Sequence, residues 1–181
     1  MTFSNRSKED FLSGLIFAVR QQAERLGVKD RRSLIAIGLI PVSAAAEEWL
    51  GSKNEQGLFV SMCPLVEGAS LNPEMMGKTD GYAELMARAK QQVEGDRDNG
   101  VPRNEVHFVR HGEHGAVIYY EAIEHDYSFC QNGGKVALEI YIYIGHSDVV
   151  MAEEIAWAAE EPIMQWAETN NDMWTQTHKP E

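Results

Sequence analysis

A chain of 181 residues, 44% hydrophobic and 24% charged, has apolar surface enough for one sizeable core and reads as a single globular domain over residues 1–181, with about seven loose residues at its C-terminus. Its formal net charge of −12 argues against nucleic acid, whose phosphates need Lys and Arg to displace condensed counterions, and against anionic membrane surfaces. No apolar run approaches the roughly 18 residues of a membrane span, and Cys63 and Cys130 offer neither CxxC spacing nor thiols enough for a disulfide framework; these features point to a cytoplasmic protein with reduced cysteines.

In chain order, Ser7 caps a first amphipathic helix whose apolar positions Phe11, Leu12, Leu15, Val19, Ala23 and Leu26 recur at helical spacing up to Gly27. Asp30 caps a short second helix through Arg32 to about Ile40, stopped by Pro41, although residues 33–42 hold enough Ile, Leu and Val for a buried strand. Ser43 opens a helix over 44–50, closed by Gly51. Residues 57–66 suit an edge strand whose ladder ends at Pro64, and 67–78 carry the Gly and Pro of a loop. Asp80 caps a helix over 81–94, and a polar loop follows to Asn104.

Strands are expected at 105–110, 116–130 and 135–144, with Asn132-Gly133 as a hairpin turn between the last two. A final helix starts near Ser147 or Asp148, and Pro162 kinks it or opens another that ends near Asn170. This order predicts an α+β fold: an antiparallel, hairpin-rich sheet lying mainly within 105–144, packed with several helices on one face in a two-layer arrangement.

Along 136–144 the residues alternate. Val136, Leu138, Ile140, Ile142 and Ile144 form a buried side, and Ala137, Glu139, Tyr141 and Tyr143 a wetter one. A turn at Asn132-Gly133 sets Asp126 opposite Glu139, and one at Gly133-Gly134 sets Ser128 there. Both registers put Ile123, His125, Tyr127 and Phe129 on the aliphatic side.

Val109-Arg110-His111-Gly112-Glu113 resembles the Arg-His-Gly signature of the histidine phosphatases over about five residues. That resemblance implies a phosphorylated His111 and a phosphate-binding Arg110. No arginine follows Arg110 to complete a phosphate pocket, so the stretch reads as a Gly-containing hairpin turn. His111, Glu113, His114 and His125 are the candidate ligands for a divalent metal, and no other cofactor is indicated.

Charge is unevenly placed: residues 1–33 carry seven Lys or Arg against four acids, whereas 136–178 carry eight acids and no Lys or Arg. With no nucleophile elbow, phosphate loop or Cys–His pair, the chain points away from catalysis, and no catalytic residue is assigned. The leading expectation is a non-catalytic protein-binding module, such as a small acidic adaptor, chaperone or immunity-type protein. It would contact a basic surface, or another copy of itself, through Glu153, Glu154, Glu160, Glu161 and Trp166. The alternative is a metal-dependent enzyme or small-molecule binder built on the histidine and carboxylate cluster.

Overall fold

The structure, a computed structural model, describes residues 7–51, 59–71, 91, 95, 99, 108–111, 115–124 and 136–168, with the backbone alone for 108–111, 121–124 and 168. Helix α1, Lys8–Arg25, starts where the Ser7 hydroxyl accepts the Asp10 N–H at 3.1 Å and ends at Leu26, followed by Gly27 at φ 75°. Its apolar stripe is buried from Phe11 to Ala23, as the spacing predicts.

The ambiguous segment is a strand, β1, Leu34–Pro41. Six successive residues, Leu34 to Leu39, are buried, which a strand covered on both sides achieves and a short surface helix does not. Asp30 caps no helix; its carboxyl accepts the Arg32 N–H at 2.9 Å and its carbonyl accepts the Ser33 hydroxyl at 2.6 Å, closing a turn. Helix α2, Ala44–Leu50, lies between Ser43 and Gly51, as expected. Strand β2, Phe59–Pro64, is an edge that stops at its proline.

Strands β3, Phe108–His111, β4, Gly115–Glu124, and β5, Val136–Gly145, follow. Helix α3, Val149–Ala156, is capped by Asp148, whose carboxyl accepts the Met151 N–H. A 3-10 turn, Trp157–Ala159, leads into α4, Glu160–Glu168. Pro162 therefore lies in the first turn of α4, where its missing N–H has no intrahelical partner to lose. The helix expected over 81–94 and the histidine at 125 lie outside the described residues, Gln91 apart.

The fold is α+β, with an antiparallel five-stranded sheet in the order β2-β1-β5-β4-β3. The sheet reaches well beyond 105–144, because β1 is inserted beside β5 and brings β2 with it. One sheet face, carrying Ile35, Ile37, Leu39, Ile118, Tyr120, Leu138, Ile140, Ile142 and Ile144, shares a single apolar core with Leu15 and Val19 of α1, Trp49 of α2, Ile155 of α3 and Trp166 of α4. Phe11, Trp49 and Trp166 close that core, with ring centroids 5.1–6.0 Å apart.

Two expectations about the hairpin are corrected. Glu139 faces Glu121 in register, not Asp126 or Ser128, and Ile123 pairs with Ala137. An odd displacement of the register exchanges faces, so Ile123 falls in the row opposite Ala137, while Tyr120 and Ala122 fall opposite Ile140 and Leu138. The second face is also buried rather than wet: Tyr119, Tyr141 and Tyr143 are at most 1% exposed and Glu139 is 9% exposed. These tyrosines pack with Leu34, Ala36, Val117, Val60, Met62 and Leu71.

Candidate functional site in the groove between α1 and the C-terminal helices

A groove of about 670 Å³ runs between one flank of α1 and the segment from α3 into α4. From α1 come Ala18, Gln21, Gln22 and Arg25; opposite them stand Glu154, Trp157, Glu160, Glu161 and Met164. The groove follows from local chemistry. The 3-10 turn between α3 and α4 adds half-buried Trp157 and Ala158 to its lining, and the first turn of α4 carries Glu160 and Glu161, where the helix dipole favours acids. Arg25, in the last turn of α1, is placed by the same dipole with the opposite sign.

Below the rim, buried Tyr120 donates its O–H to Oε2 of Glu160 at 3.4 Å and meets the Trp157 ring edge-on, with centroids 6.2 Å apart and planes at 88°. Burial first, then the neighbouring Glu160 charge and its hydrogen bond, hold the Tyr120 phenol above its ordinary range. The phenol therefore stays a neutral donor that orients one carboxyl beside an indole. A carboxylate beside an aromatic face suits a guanidinium or ammonium group, which binds the first by charge-assisted hydrogen bonds and the second through the ring quadrupole.

Of the residues expected to contact a partner, Glu154, Glu160 and Glu161 line this groove, and Glu153, half-buried on α3, is not among its lining residues. Trp166 is corrected: at 3% exposure it belongs to the core, on the same face of α4 as Ile163 and Ala167. Its indole Nε1 is buried without a hydrogen-bond partner, a feature of packing and not of an accessible anchor. Gln21, Gln22 and Met164 escaped the sequence reading because nothing local marks them; they meet the acids only through tertiary packing.

The metal cluster is not assembled among the described residues. His111 ends β3, where its Cα pairs with Ala116, and Glu113, His114 and His125 lie outside the described residues. Among the described residues no group of three His, Cys, Asp or Glu is placed to hold a metal ion. The Arg110-His111 pair sits at the end of β3, which pairs antiparallel with β4 at the edge of the described sheet, and the turn expected at Gly112 lies outside the described residues. His146, just after β5, accepts the Asp148 N–H on Nδ1 at 3.0 Å. Burial pushes the Cys63 thiol up, partly offset by Arg20, which disfavours the reactive thiolate.

Among the described residues no helix is long and apolar enough to cross a membrane. Comparison with protein-family models, with curated proteins and with solved structures gives no match.

Proposed function

We propose that the protein is a non-catalytic binding module that receives a basic protein segment in the groove between α1 and the α3–α4 segment. The observation that carries this reading is that Glu154, Glu160 and Glu161 line one groove with half-buried Trp157, and that the Glu160 carboxyl accepts the Tyr120 hydroxyl. The net charge of −12 favours a basic protein over nucleic acid as the partner. Three of the four residues on which the metal-dependent alternative rests, Glu113, His114 and His125, lie outside the described residues.

Each exposed charge pair contributes about 0.2–1 kcal/mol and a cation over an indole about 0.5–1 kcal/mol, so recognition is weak per contact and strongly salt-dependent. The test is titration of a short oligoarginine peptide against the full chain, followed by Trp fluorescence and calorimetry. The triple variant Glu154→Lys, Glu160→Lys, Glu161→Lys is expected to weaken binding about 10–100-fold, and raising the salt should weaken the wild-type complex. Equal affinity of wild type and triple variant, or equal binding of an uncharged peptide, would refute the reading.

A further inference from the structure

The three acids of the groove are not equivalent. Glu154 and Glu161 are exposed, and Oε1 of Glu161 accepts the Gln165 side-chain amide at 3.4 Å on the surface of α4. Glu160 is half-buried, and its Oε2 accepts the hydroxyl of Tyr120, a core residue of β4 that is 1% exposed. Glu160 is also tied to Trp157. Its backbone N–H donates to the Trp157 carbonyl, the i to i−3 bond of the 3-10 turn, and that geometry eclipses side chains three residues apart. Tyr120 reaches both: its hydroxyl meets the carboxyl and its ring meets the indole edge-on. Carboxyl and indole are thereby fixed to the sheet as one unit.

An exposed carboxylate attracts a cation through water and salt and must lose freedom to hold it. A carboxylate that is already oriented and partly withdrawn from water loses less of either. Which cation it selects follows from hydration and shape. The Lys ammonium is a compact, strongly hydrated charge, whereas the Arg guanidinium is planar and weakly hydrated, and can donate to a carboxylate while its plane lies against an indole. The opposite wall limits how many cations enter. Arg25 of α1 stands there, exposed, beside Gln21 and Gln22. The lining therefore sets Glu154, Glu160 and Glu161 against one base, and a second cation near α1 meets a like charge.

Resting on the groove reading, we propose that Glu160 and Trp157 form a subsite for a single arginine side chain of the partner, with Tyr120 as the residue that positions the carboxylate. Glu154 and Glu161 supply a general attraction that any cation satisfies. Glu160 with Trp157 supplies the preference for guanidinium over ammonium. The two contributions are separable, because Tyr120 and Trp157 carry no charge.

Calorimetric titration of the full chain with oligoarginine and oligolysine peptides of equal length separates them. The wild type is expected to bind oligoarginine about fivefold tighter than oligolysine. Glu160→Gln should weaken oligoarginine about fivefold and bring that ratio near one, whereas Glu154→Gln and Glu161→Gln should each weaken both peptides alike, by less than about twofold. Tyr120→Phe keeps the ring in the core and every charge in the groove, so it should lower the ratio while oligolysine binding stays within about twofold of wild type; a merely structural loosening would weaken both peptides alike and overturn the positioning role. Trp157→Leu also keeps every charge and should lower the ratio, which keeps the subsite testable where Tyr120→Phe does not fold. Equal wild-type affinity for the two peptides, or a ratio that Glu160→Gln or Trp157→Leu leaves unchanged, overturns the arginine subsite and leaves the groove reading standing. A wild type that binds neither peptide overturns both.

Discussion

Tyr143 and Glu139 show how far a side chain's environment departs from its polarity. Both stand on the face of β5 that alternation marks as wet, yet Tyr143 is fully buried, and Glu139 accepts the Tyr119 hydroxyl at 3.2 Å with the Tyr119 and Tyr141 rings 4.9 Å apart beside it. Tyrosine tolerates burial on this scale because its ring is apolar and its hydroxyl needs only a partner. Burial pushes the Tyr143 phenol up to about 12 from 10.0. A raised folded-state value means that the folded chain keeps its proton when the unfolded chain has lost it. Stability is then complete below pH 10.0 and declines as pH rises towards 12. The decline due to Tyr143 is about 1–2 kcal/mol after allowance for solvent screening. Urea midpoints measured from pH 9 to 12 should fall across this window, and Tyr143→Phe should flatten the fall; the same slope in the variant would remove Tyr143 as a cause.

Ser43 joins two elements through one oxygen. Its hydroxyl accepts the Ala46 N–H as the cap of α2 and also the Ala137 N–H of β5, each at 3.1 Å, while the Val42 N–H reaches the Ala137 carbonyl at 2.8 Å. The cap thus extends the β1–β5 pairing into the start of α2. Ser43→Ala removes both acceptor contacts and is expected to cost about 1–2 kcal/mol, seen as a lower urea midpoint with an unchanged slope. Ser7→Ala, at an exposed cap with one described hydrogen bond, should cost about half as much. Equal losses at the two serines would show that the link to β5 adds nothing. The start of β4 depends on glycine in a different way: a methyl group at Gly115 would collide with the Ile144 carbonyl, so the β4–β5 pairing at that end admits no larger residue without shifting the backbone.

At the scale of the whole molecule, the basic first segment and the acidic last one do come together, but by apolar packing. Phe11 of α1 meets Trp166 of α4 in the core, and the basic side chains are spent on carbonyls: Lys8 on Leu50, Arg20 on Pro64 and Arg31 on Gly68. The ion pair between described residues, Arg32 with Asp30 at 3.8 Å, is local. With a net charge of −12, added salt mainly screens self-repulsion. The thermal midpoint should therefore rise between about 0.05 and about 0.5 M NaCl; a falling midpoint would show that long-range ion pairs hold the ends. The sequence by itself determined the features written within a few residues: the caps at Ser7, Ser43 and Asp148, the stop at Pro64, the aliphatic face of β5 and the position of the acids on the last helices. The rest depends on non-local partners. Leu34–Pro41 is a strand because β5 and β2 flank it, the β4–β5 register follows from pairing along the whole ladder and not from one Asn-Gly turn, and Trp166 is core because Phe11 and Trp49 reach it. Helix caps and alternation are local energies that a short segment expresses alone, whereas register, burial of a second sheet face and the meeting of α1 with Glu154, Glu160 and Glu161 arise only when distant segments exclude water together.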